Sequence, residues 1–181
     1  EDIRQHVIKV LKDYREIRQR ANITDFEKDS FDPESSFARI GGGSLGGKAR
    51  GLGFVKTLLN NYNMRYAFEG AKIFVPAAVA IGTNVFDQFL EKNNLRELAL
   101  NSTDDREIAD AFHTASYFPP EVLSQLRDFL DMVRVPLAVR SSSLLEDSQY
   151  HPFAGVYETY MIPNNNEDHE TSLQELLTTI K

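Results

Sequence analysis

Two stretches carry side chains whose types and spacing suit anion chemistry. The first is "IGGGSLGGKARGLG", Ile40 to Gly53, with seven glycines and two cations in fourteen residues. Glycine lets the backbone approach an anion closely and leaves its N–H groups unshielded. A helix opening directly after the glycines would add its positive end. Lys48 supplies a mobile full charge at the same place. The other reading is a glycine-rich linker with an incidental lysine, and this stretch alone leaves both open. A P-loop is rejected. The spacing Gly42-x4-Gly47-Lys48 fits, but Ala49 stands where a magnesium-ligating hydroxyl is required. The upstream "ESSFAR" also reads as a poor strand.

The second stretch is "AVRSSSLLEDSQYHPFAGVYETY", Ala138 to Tyr160. An arginine, Arg140, ends an apolar strand there, and Ser141, Ser142 and Ser143 follow. Strand ends hold ligand-binding groups in fixed positions. The planar fork of Arg140 can grip phosphate oxygens, and the serines can donate hydrogen bonds or cap the next turn. Glu146 and Asp147 offer the plainer alternative, an ion pair with Arg140. Further on, alternation along a strand puts Gly155, Tyr157 and Thr159 on one face and Val156, Glu158, Tyr160 and Ile162 on the other. A glycine and a threonine on one face leave room for a flat ligand and one hydroxyl contact. A small-residue gap filled by a neighbouring side chain would look the same.

The elements that must position these groups read as follows. Ile3, Val7, Val10, Leu11, Tyr14 and Ile17 recur at helical spacing, so residues 2–20 read as an amphipathic helix. Asn22 to Ser36 reads as an irregular acidic connector. After the glycine loop, Leu52, Val55, Leu58, Leu59 and Tyr62 form an apolar stripe, predicting a helix from near Gly47 to about Asn61. Lys72 to Ile81 is β-like with a proline break. Thr83 or Asn84 would cap a short helix carrying Phe86, Phe89 and Leu90. Ser102-Thr103-Asp104-Asp105 starts another, running through Phe112. Pro119-Pro120 starts a third, with Val122, Leu123, Leu126, Phe129, Leu130 and Val133 on one face. Pro136 to Arg140 and Gly155 to Ile162 read as strands, and a last helix begins at Thr171. The pattern is mixed α and β.

Composition narrows the classes. The 181 residues carry a net charge of -7, which argues against nonspecific nucleic-acid binding because a polyanion needs a basic face. There is no cysteine, so no disulfide framework and no cysteine metal site, which suits a reducing cytoplasm. The longest apolar run, Ile73 to Ile81, falls far short of the ~18 residues a membrane helix needs. The chain opens at Glu1 without methionine and closes at Lys181 inside a helical pattern, so we expect a piece of a longer protein.

"GGKARGLG" and "AVRSSSLLEDSQYHPFAGVYETY" together resemble the N-terminal nucleotide-binding domain of phosphoenolpyruvate synthase and pyruvate phosphate dikinase. Rifampin phosphotransferase and the glucan water dikinases are more distant relatives of that family. The resemblance covers about residues 40–163, with the motifs in family order at Lys48, Pro76, Arg140 and Phe153 to Thr159. It departs after Pro76, where "AAVAIGTNVFDQF" stands in place of the family's Gly-Phe and paired threonines.

The resemblance implies an α+β fold, the N-terminal part of an ATP-grasp-like nucleotide-binding domain, helix-rich with a small mixed sheet. Residues 1–38 would be a helical N-terminal extension and connector, and residues 39–181 the truncated ATP-binding portion. It implies that Lys48 and Arg140 hold ATP phosphates as the catalytic cations, and that Gly155 and Thr159 also contact nucleotide. In the family, ATP phosphorylates a histidine on another domain, which passes the phosphate to pyruvate on a third. Magnesium ligands and that histidine are expected outside this chain, so His6, His113, His151 and His169 are not expected to carry phosphate, nor the isolated piece to turn over. A non-catalytic ATP-sensing module that kept the fold is the alternative.

Overall fold

A computed structural model describes residues 3–8, 10, 23–143 and 157–181. The α+β class expected from sequence holds, and helices dominate. The parallel and antiparallel pairings are divided between two sheets. Among the described residues no helix is long and apolar enough to cross a membrane.

The first sheet is parallel and three-stranded. Strands β1 (Thr24–Asp25), β2 (Phe37–Ile40) and β3 (Ala78–Ile81) lie in that order, with Phe37 opposite Ala78 and Ile40 opposite Ile81. β2 corrects the reading of "ESSFAR" as a poor strand. It sits between two neighbours with Phe37, Ala38 and Ile40 buried, as a central parallel strand must be. The connector reading of Asn22 to Ser36 needs the same correction. That stretch contributes β1, and Phe26 and Phe31, 5.1 Å apart at their ring centres, meet Phe129 edge-on at 6.4 and 5.8 Å. Of the β-like run from Lys72, only Ala78–Ile81 is strand.

Between β2 and β3 runs helix α1 (Gly46–Asn61), matching the predicted span. Its apolar stripe does not enter the core, because Leu52, Val55 and Leu58 are exposed and the buried residues are Gly46 and Ala49. Helices α2 (Thr83–Lys92), α3 (Arg96–Asn101), α4 (Asp105–Thr114) and α5 (Pro120–Met132) follow. α2 buries Val85, Phe89 and Leu90 and leaves the expected core residue Phe86 exposed. α5 buries Val122, Leu126, Phe129 and Leu130 as its spacing predicts.

The second sheet pairs β4 (Leu137–Arg140) with β5 (Thr159–Ile162), antiparallel, with Arg140 opposite Thr159. β5 is shorter than the predicted strand; Tyr157 and Glu158 precede it, while Gly155 and Val156 lie outside the described residues. Leu137, Val139 and Ile162 pack on the core, so the other face of the ribbon looks outward. The last helix, α6 (His169–Ile180), lays Leu173, Leu176 and Leu177 against α5. Asn164, buried in the preceding loop, donates to Val133 O at 2.7 Å and Val135 O at 3.2 Å, tying that loop to the entry of β4.

Candidate functional site

The glycine loop leaves β2 at Ile40 and enters α1 at Gly46. It is not a slack linker. Asn84 Oδ1 accepts from Gly42 N at 2.7 Å, and Thr83 Oγ1 accepts from Ser44 N at 3.0 Å. Thr83 N and Asn84 N donate back to Ser44 O and Gly42 O. The two side chains expected to cap α2 are therefore spent on the loop, and α2 begins at Gly82 without a side-chain cap. Gly43 has φ +87°, and a Cβ there would stand 2.5 Å from Thr83 Oγ1. The N–H groups of Gly42 and Ser44 are thus taken, as are those of Gly46, by Ser44 Oγ at 3.3 Å, and of Ala49, by Ser142 Oγ, the last two in the first turn of α1.

The helices differ in the charge of their first turns. α3, α4, α5 and α6 open with acids in their first turns: Glu97, Asp105 and Glu107, Glu121, and Glu170. α1 and α2 have none, and α1 carries Lys48, half-buried, in its first turn. The other lysine of α1 serves the fold: Lys56 Nζ donates to Ser35 O at 2.7 Å, and burial holds its pKa below the usual value.

The second stretch arrives at the same turn. Ser142, two residues beyond Arg140, accepts from Ala49 N at 3.0 Å and donates to Leu45 O at 2.7 Å. A helix would ordinarily join these two backbone groups to each other, so the hydroxyl is spliced into the first i→i−4 bond of α1. Gly46, at φ +74°, allows it: a Cβ there would fall 1.3 Å from Ser142 O. Lys48 is thus one residue from this junction, and Arg140 lies within about 7 Å of chain from it.

Arg140 is exposed and shares the outward face of the ribbon with Thr159, Ala138 and Met161. Tyr157 donates to Ser143 Oγ at 3.2 Å, joining β5 to the serine run. Gly155, expected beside Thr159, lies outside the described residues, as do Glu146, Asp147 and His151. Of the four expected site residues, Lys48 on α1 and Arg140 on β4 thus lie on segments joined at the Ser142 contact, and Thr159 on β5 pairs with Arg140. Ser142, Thr83 and Asn84 are the residues whose roles sequence reasoning missed. The hydroxyls were visible as a serine run and as cap candidates, but partners some 40 and 90 residues away leave no local signal.

The P-loop rejection survives on Ala49 alone, since the strand it found wanting is present. A hydroxyl does reach residue 49, from Ser142, but both its hydrogen bonds go to backbone. Among the described residues no cluster of three carboxylates or histidines could hold a metal ion.

Residues 43–178 match the family described as pyruvate phosphate dikinase, AMP/ATP-binding domain. No curated protein and no solved structure matched the chain.

Proposed function

Because the chain belongs to the pyruvate phosphate dikinase AMP/ATP-binding domain family, we propose that Lys48 and Arg140 grip the phosphate tail of ATP at the first turn of α1. The chain is an ATP-binding portion of a dikinase-family phosphotransferase. The finer reading is phosphoenolpyruvate synthase-like, on an ATP-grasp arrangement. ATP there phosphorylates a histidine on another domain of the same protein, and pyruvate is the final acceptor. ATP chemistry and a cysteine-free chain fit the cytoplasm.

One observation carries the reading: the Ser142 hydroxyl ties the segment bearing Arg140 to the turn bearing Lys48. Phosphoryl transfer asks mostly for positioning and charge stabilisation. The ammonium of Lys48 and the guanidinium of Arg140 would neutralise phosphate oxygens from two sides, and the helix end would add its dipole. Thr159, opposite Arg140 on the outward face, would contact the nucleotide, together with Gly155. Magnesium, which dikinases use with ATP, would need carboxylates from elsewhere, and no step here runs through it.

Isothermal titration with ATP and with AMP tests this. Lys48→Ala and Arg140→Ala should each weaken ATP about 10- to 100-fold, the worth of one charge-assisted contact. AMP, lacking the outer phosphates, should lose less. Wild-type ATP affinity in both variants would remove the proposal.

A further inference from the structure

We infer that Ser142 is a positioning residue for the phosphate grip: its hydroxyl, spliced into the first turn of α1, sets the separation of Lys48 and Arg140 without touching a phosphate itself. The inference rests on the reading of those two cations as phosphate ligands, but the clasp can be tested apart from it.

The geometry makes the clasp separable from helix stability. Leu45 at the N-cap of α1 makes no side-chain cap, and Ser44 Oγ accepts from Gly46 N at 3.3 Å. Ser142 accepts from Ala49 N and donates to Leu45 O, two groups that can bond to each other directly when the hydroxyl is removed. Ser142→Ala should therefore leave α1 helical and its backbone satisfied. What disappears is the tie between the end of β4 and the start of α1. Farther along, α1 is held by the hydrogen bond from Lys56 to Ser35 O and by Gly53 lying against Ile23 and Phe37, but its two buried residues, Gly46 and Ala49, both belong to the turn that Ser142 clasps. The close approach of Ser142 O to Gly46 depends on the glycine, so the contact is built from both sides. A phosphate tail bridging Lys48 and Arg140 needs their spacing fixed before it arrives, because ordering two loose segments on binding is subtracted from affinity.

The chain has no cysteine, so Gly51→Cys on α1 and Ala138→Cys on β4 would carry the only two spin labels. A Cβ at residue 51 meets nothing within 4 Å, and Ala138 is exposed, so neither label disturbs the clasp. Pulsed dipolar spectroscopy on the ligand-free chain gives the distance distribution between them. We expect a narrow distribution with Ser142, a broadened or lengthened one in Ser142→Ala, and recovery in Ser142→Thr, which keeps the hydroxyl. ATP affinity, titrated on the unlabelled chains, should fall about 10-fold in Ser142→Ala and recover in Ser142→Thr. Gly46→Ala forces the same contact apart from the α1 side and carries the test if Ser142→Ala does not fold.

An unchanged distribution in Ser142→Ala overturns the clasp, whatever ATP does. A broadened distribution with wild-type ATP affinity overturns the positioning role. Should Lys48→Ala and Arg140→Ala leave ATP binding untouched, the phosphate reading fails by itself, and the distance distribution still decides whether Ser142 fixes the two segments.

Discussion

Asp131 sits on an exposed edge and serves three elements at once. His169 Nδ1–H donates to its Oδ1 at 2.6 Å, and Lys28 reaches its Oδ2 at 3.3 Å. The guanidinium of Arg134 lies against the other nitrogen of His169. The hydrogen bond from His169, and then that from Lys28, hold the Asp131 carboxyl below its ordinary 3.8. A lowered carboxyl pKa means that the unfolded chain binds more protons than the folded one below that value. The stability Asp131 contributes is therefore full above about pH 4 and is lost as pH falls further. Asp131→Asn should melt with a shallower decline between pH 5 and 3 than the parent, read by circular dichroism at each pH; parallel declines would refute it. Because the carboxyl is exposed, solvent keeps the effect small. Residues of this kind were not legible in the sequence. Lys48 and Arg140 were, because each stands at a junction that local pattern marks: glycines then a helix, or an apolar strand then serines. Asp131, Asn164 and Ser142 owe their roles to partners far along the chain, and nothing beside them signals it.

Helix starts show where local chemistry suffices and where it fails. The run Ser102 to Asp105 was read as the start of α4, and within it the Asp104 carboxylate accepts from Arg106 N at 2.9 Å and Glu107 N at 3.3 Å. Asp104→Ala should cost about 1 kcal/mol by chemical denaturation, the usual worth of a capping carboxylate. A change below a few tenths would show that α4 is held by packing alone. Thr83 and Asn84 have equally good capping chemistry and do not cap. They lie against the glycine loop, whose Gly42 and Ser44 N–H groups have no helix or sheet partner and take the side-chain oxygens first. Propensity sees the donor and not the competitor. β2 was missed for a related reason. Four residues with Arg39 among them make a weak strand by pattern, yet two parallel neighbours settle it, and Arg39 Nε reaches Asp25 on β1 at 2.7 Å. α3, six residues long, is too short to show a period.

At the scale of the molecule the apolar surface is unevenly shared. α5 and α6 close on a core that includes Leu130 and Leu173, at 1% and 0% exposure, and the Phe26, Phe31 and Phe129 rings lie against it. α1, at 16 residues, is longer than α2 to α6, yet Phe54, Val55 and Leu58 are 63%, 44% and 37% exposed. Its apolar spacing was legible in sequence, but spacing reports an amphipathic helix and not what covers it. Buried contacts set how costly it is to open a segment, so the two regions should differ in local stability. Native-state amide exchange should find the protection of α1 well below that of α5 and α6. The Val55 and Leu58 amides should exchange through local opening while Leu126, Leu130 and Leu173 wait for global unfolding. If ATP seats on the first turn of α1, saturating nucleotide should slow exchange along α1 and leave the core amides near their unliganded order. Equal protection in α1 and α5 without nucleotide would contradict the uneven packing. Unequal protection that ATP does not alter would detach the nucleotide from α1.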